Sequence, residues 1–67
     1  MKGLFLYTYD YHEWEDLIAV SEFTENLKER YLMEDGKDYK LANNEDEHNE
    51  LAHMETHHYM IKDVELV

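Results

Sequence analysis

The sequence predicts a small α+β domain, an antiparallel sheet of about three strands packed on one helix with room for a second short helix. Three observations carry that prediction. An aromatic run near the start alternates with period two, a second β-prone run follows at hairpin distance, and a helical pattern then leads into a β-type tail. No repeat and no linker breaks the chain, so residues 1–67 read as a single domain. A chain near this length buries only about 60% of its unfolded surface, so it can build one modest core.

Residues 3–11 (GLFLYTYDY) set Phe5, Tyr7, Tyr9 and Tyr11 on one side of a strand and Leu4, Leu6, Thr8 and Asp10 on the other. The polar knot at residues 12–16 predicts a hairpin loop of four or five residues, and residues 17–23 predict the antiparallel partner. Thr24 then offers an N-cap, Glu25 suits the first turn, and Leu27 and Tyr31 lie four apart on one helical face. Gly36 is placed to end that helix. Residues 43–55 hold only Leu51 and Met54 as large apolar residues, and they read either as a short helix capped by Asn43 or Asn44 or as an ordered loop. Residues 59–67 (YMIKDVELV) predict a last strand in which Met60, Val64 and Leu66 alternate with polar residues. The aromatic strand is expected to pack against Leu27 and Tyr31. A sheet apolar on both sides with one covering helix leaves a face open, and a homodimer is the expected way to bury it.

Composition sets the function classes. Without cysteine the chain has neither disulfide staples nor thiolate metal sites, which fits a reducing cytoplasm. The apolar stretch at residues 4–9 is too short for a membrane span or signal peptide. Ser21 is the only serine and Gly3 and Gly36 are the only glycines, so no nucleophile elbow, phosphate loop or dinucleotide fingerprint can be assembled, and the chain reads as a non-enzyme without cofactor. Against that, 17 acidic and 6 basic residues give a formal net charge of −11. Solubility of a small domain needs a net charge of about 2 to 8 in magnitude. Residues 10–27 carry Asp10, Glu13, Glu15, Asp16, Glu22 and Glu25 with no Lys or Arg, and residues 41–61 carry Glu45, Asp46, Glu47, Glu50 and Glu55, again with none. Such a field repels nucleic acid and anionic membrane and attracts basic proteins.

The opening MKGLFLYTYDYHEWEDLIAV, a short helix and the closing HHYMIKDVELV resemble the small β-β-α-β proteins that phages of Gram-positive bacteria encode for host takeover. The layout covers most of the chain and includes no catalytic motif. Within that group the acidity is similar to that of proteins that imitate DNA, among them an inhibitor of the nucleoid protein HU. The resemblance implies a host bacterial cytoplasm and a basic DNA-binding partner such as HU. The acidic insert at residues 43–58 departs from the typical member and is expected to confer specificity.

On a helix Asp46 and Glu50 lie one turn apart, as do Glu25 and Glu29, and such rows are spaced closely enough to occupy a Lys- and Arg-lined cleft. The partner-binding residues expected are therefore Asp10, Glu13, Glu15 and Asp16 in the hairpin loop, Glu22 and Glu25 after it, and Glu45, Asp46, Glu47 and Glu50 in the insert. The bland alternative is a solvated, solubilising face. A rival class is a metal-binding module built on His53, His57 and His58, since His53 and His57 would share a helical face. The zinc-protease motif is absent, because Met54 rather than a glutamate follows His53, and surface histidines in an acidic segment account for the same run. A third class is an acidic subunit that only stabilises another protein.

Overall fold

The computed structural model describes residues 1–34 and 38–65, and its fold is α+β, a four-stranded mixed sheet with two helices. In chain order the elements are β1 (Lys2–Tyr9), β2 (Glu13–Ser21), α1 (Thr24–Glu34), β3 (Lys40–Ala42), α2 (Glu45–Met54) and β4 (His57–Asp63). The strands lie side by side as β2-β1-β4-β3. Central β1 is antiparallel to β2 and β4, while β3 runs parallel to β4. The expectation of about three strands is roughly met by four, and that of an antiparallel sheet is corrected at β3, which runs parallel to its neighbour. A parallel pair needs a crossover of a dozen or so residues, and the stretch holding α2 supplies it. The acidic insert is therefore an integral helix of the fold.

Alternation along β1 assigns the two faces. Leu4 packs with Leu27 of α1 and Tyr59 of β4, joined by Leu6, Ile18, Tyr31 and Leu41. Phe5 and Tyr7 pack instead with Ala42, Met60 and Leu51 of α2. Leu27 and Tyr31 therefore cover the leucine face, and the expectation that they cover the aromatic face is corrected. On the aromatic face the Tyr7 hydroxyl finds its partners in Lys62 of β4 and Glu15 of β2, while the apolar stripe of α1 takes the leucines together with Tyr59. Leu27 is only 1% exposed, and burying such a side chain contributes about 1.5–3 kcal/mol. Because α2 covers part of the aromatic face, the open face that argued for a homodimer shrinks to the β2 side, where Leu17 and Val20 are exposed.

The hairpin is tighter than its polar sequence suggests. Tyr9 pairs with Glu13, Thr8 with Trp14, Tyr7 with Glu15 and Leu6 with Asp16, so these acidic residues belong to β2, and only residues 10–12 form the loop. Cross-strand pairing with aromatic and β-branched partners outweighs the poor strand propensity of Glu and Asp. Opposite Leu4 and Phe5 the register slips, with Ala19 and Leu17 as partners and Ile18 as the extra residue of a bulge. The slip gives both Ile18 and Ala19 to the leucine-face cluster. Beside the bulge, Gly3 permits close approach: a Cβ there would collide with Val64 Cγ2 and come within 3.0 Å of Phe5 Cε2 and 3.1 Å of Leu17 Cδ1.

Local signals hold both helices. Ser21 Oγ accepts from the Phe23 amide and from Asn26 Nδ2, each at 3.1 Å, fixing the entry to α1. Asn44 caps α2: its Oδ1 accepts from the Glu47 amide at 2.9 Å, while Glu47 Oε2 accepts from the Asn43 amide at 2.9 Å, a variant of the capping box. The helix end assigned to Gly36 and the strand positions Leu66 and Val67 lie outside the described residues. Among the described residues no helix is long and apolar enough to cross a membrane.

Candidate functional site

Ion pairing decides which carboxylates are free to act. Lys2 pairs with Asp63 at 2.8 Å, Arg30 with Glu34 at 2.9 Å, Lys40 with Glu55 at 3.3 Å and Lys62 with Glu15 at 2.9 Å. Of the residues expected to bind a partner, only Glu15 is engaged by a cation among the described residues, and Glu47 is turned back on Asn43 by its capping role. Asp10, Glu13, Asp16, Glu22, Glu25, Glu45, Asp46 and Glu50 are exposed and have no ion pair among the described residues. Among the described residues Lys2, Arg30 and Lys40 pair with acids outside this set.

The free carboxylates do not form one row. Glu13 and Glu15 stand on the sheet face shared with α2, whereas Asp16 alternates to the face under α1. Glu22 and Glu25 sit at the start of α1, and Glu45, Asp46 and Glu50 lie on α2. The expectation that Glu13, Glu15 and Asp16 project together from a loop is corrected by the strand alternation that sends them to two faces. Glu47 and Glu50 border an open hollow of about 570 Å³ along β3 that is also lined by Tyr31, Lys40, Leu41 and Leu51.

Aromatic, acidic and imidazole chemistry meets in a smaller cavity of about 270 Å³ lined by Tyr7, Tyr9, Glu13, Trp14, Glu15 and His48. By alternation the Trp14 ring belongs to the opposite face with Thr8, so the walls are the Tyr7 and Tyr9 rings, the two glutamates and His48. Tyr7 and Tyr9 stack with centroids 6.4 Å apart and planes 8° from parallel. Lys62 Nζ lies 4.5 Å from the Phe5 centroid and 5.4 Å from that of Tyr7, a cation held over aromatic faces while it donates to Glu15. The Tyr7 hydroxyl joins this pair and holds Glu15 below the ordinary carboxylate range, with Lys62 adding to the effect. Burial works to lower Lys62, but its bonds to Tyr7 and Glu15 outweigh burial and the net shift is upward. Burial raises the phenols of Tyr7 and Tyr9, and for Tyr9 the nearby Glu13 charge adds to it.

Behind the cavity His58 is fully buried and lies nearly parallel to the Tyr7 and Tyr9 rings, with centroids 5.3 and 5.7 Å away. Its Nε2 is 2.8 Å from His48 Nδ1, and its own Nδ1 has no partner. A buried N–H without an acceptor is worse than a bare lone pair, so the arrangement favours the proton on His58 Nε2, donated to His48. Burial, then the His48 ring, pushes the His58 pKa below its ordinary value.

The histidine trio considered from sequence is not assembled. The helix ends at Met54, so His53 and His57 do not share a helical face; His53 is exposed, and His57 stacks on Tyr39 at 5.0 Å on the sheet face opposite His58. Adjacent strand residues always diverge in this way. Among the described residues no group of three or more His, Asp or Glu could hold a metal ion. Sequence reasoning missed Tyr7, Tyr9, His48, His58 and Lys62 as one constellation. Its only early signal was that Tyr7 and Tyr9 fall on one strand face.

No family model, curated protein or solved structure matches this chain.

Proposed function

We propose that this protein is an acidic competitor for the basic, DNA-binding surface of a partner protein, acting by occupying that surface in place of nucleic acid. The observation that carries the reading is the ion-pair distribution: eight of the ten carboxylates singled out from sequence are exposed and have neither a cation nor a capping role among the described residues. Such groups keep their full charge for a Lys- or Arg-lined groove, where desolvated pairs give on-rate and specificity. The reading needs no catalytic group, cofactor or direct contact with nucleic acid. The resemblance noted in the sequence makes a host nucleoid protein of the HU type the first target to test. A homodimer would present the carboxylates twice.

The test is a gel-shift titration of an HU-type protein bound to DNA. DNA should be released in proportion to added protein, and the complex of this protein with the target, measured without DNA, should weaken markedly between about 50 and 300 mM salt as screening shortens the reach of the charges. A ternary complex of DNA, target and this protein would refute competition.

A further inference from the structure

The sheet face under α2 repeats one arrangement along β1 and β2. In the first copy Glu15 stands opposite Tyr7, and the chain's own Lys62 completes it, lying over the Phe5 and Tyr7 rings and bonded to Glu15 at 2.9 Å. Two residues along both strands Glu13 stands opposite Tyr9, but there the neighbouring backbone is Thr56, just before β4, whose carbonyl accepts from the Tyr9 amide at 2.7 Å. Among the described residues no lysine or arginine pairs with Glu13. The rings stacked near Tyr9 are Tyr7 and His58, and the His58 Nε2 is already engaged by His48. This second copy opens into the 270 Å³ cavity.

We propose that the cavity is a socket for one arginine side chain of a basic partner, with the guanidinium against the Tyr9 ring and bonded to Glu13. The inference rests on the acidic-competitor reading and narrows it to a contact. The cavity is smaller than the pockets of about 300–1,000 Å³ that take whole small molecules, and it suits one side chain. Its chemistry is the one Lys62 already satisfies next door. Arginine fits better than lysine because a planar guanidinium can stack on an aromatic face while its edge donates two bonds to a carboxylate, which a point-charge ammonium cannot do. Tyr9 is half-buried and Glu13 exposed, so the ring is held in place while the carboxylate stays accessible.

The experiment is an amide chemical-shift titration of the full chain with acetyl-arginine amide, and with acetyl-citrulline amide, which has nearly the same shape without the charge. Saturable shifts centred on Tyr9, Glu13 and His48 are expected with arginine and not with citrulline. Glu13→Gln should weaken binding by about tenfold or more, the loss of a hydrogen bond to a charged group. Asp38→Asn removes the same charge from an exposed position that does not line the cavity and should stay within about twofold, because its field there is screened. Equal weakening by the two substitutions, or saturation by citrulline, overturns the socket. Displacement of DNA that persists while arginine fails to saturate also overturns the socket and leaves the competitor reading standing. Arginine saturation in a chain that never displaces DNA supports the socket and sinks the broader reading.

Discussion

Burying an imidazole against two tyrosines makes the stability of this fold depend on pH in a window where few other groups titrate. His58 is 0% exposed, and burial, then His48, lowers its pKa from the ordinary value. An unfolded histidine titrates near about 6.5. Above that pH both states are neutral and the site contributes no pH dependence. As pH falls below it, the unfolded chain takes a proton that the folded chain refuses, and stability declines by at most about 1.4 kcal/mol per pH unit. Between pH 7 and 5.5 the loss is at most about 1 kcal/mol, equivalent to a melting temperature lower by no more than about 4–8 °C in a domain of this size. Carboxylates titrate lower, near about 4, and their mutual repulsion is relieved by protonation, so their effect has the opposite sign. Comparison with His58→Phe separates the two, because phenylalanine keeps the stacking on Tyr7 and Tyr9 and cannot titrate. Circular-dichroism melts of both proteins at constant ionic strength should diverge in slope between pH 7 and 5.5, with the substituted protein nearly flat. Identical slopes would show that His58 takes up its proton in the folded state as easily as in the unfolded one, and the burial argument would fail.

Two further outcomes follow from contacts already described. Gly3→Ala places a methyl group against Val64, Phe5 and Leu17 and should destabilise the fold by about 1–3 kcal/mol, read from denaturant midpoints; an unchanged midpoint would mean that this corner of the sheet can spread without loss. On α2 the Asp46 and Glu50 carboxylates repel across one turn by about 0.2–0.5 kcal/mol, but Asp46 also sits in the first turn, where a negative charge gains about 0.3–1 kcal/mol from the helix dipole. Glu50→Gln should therefore raise the melting temperature and Asp46→Asn should not, with added sodium chloride shrinking the difference; the reverse order would show that dipole and capping effects are negligible here.

The long periodic elements were legible in the sequence and the short or tertiary ones were not. β1 announces itself because aromatic and leucine residues alternate over its whole length, and α1 because Thr24, Leu27 and Tyr31 fall at helical spacing. β3 is three residues long, too short for any period to be read, and exists because α2 can carry the chain back to lay β4 beside it. β2 hid its first half because Glu13, Glu15 and Asp16 look like loop residues, and only pairing with β1 makes them strand. The site divides in the same way. Carboxylates can be counted in a sequence, but their pairing cannot: Glu15 and Lys62 meet across 47 residues of chain. His53 and His57 looked like partners on one helical face and were parted by the end of α2 at Met54, while the pair that does form, His48 with His58, joins a helix to a strand.

A nine-residue edge strand carrying exposed Leu17 and Val20 invites pairing with another chain, and charged side chains are a common device against it. Glu13, Glu15 and Asp16 can therefore be explained by protection of β2 alone. The same explanation does not reach Glu22 and Glu25 at the start of α1, or Glu45, Asp46 and Glu50 on α2, none of which lies in an edge strand. Helix dipoles account for Glu25, Glu45 and Asp46 in first turns, but not for Glu22 or Glu50. Nor does solubility account for a charge beyond about 8 in magnitude. Glu13 is where the two demands coincide: on the edge strand it discourages a second copy of the chain, and beside Tyr9 it offers a cationic side chain a carboxylate with no lysine partner among the described residues. A single residue can thus repel one class of partner and select another, because both effects follow from the same unpaired charge.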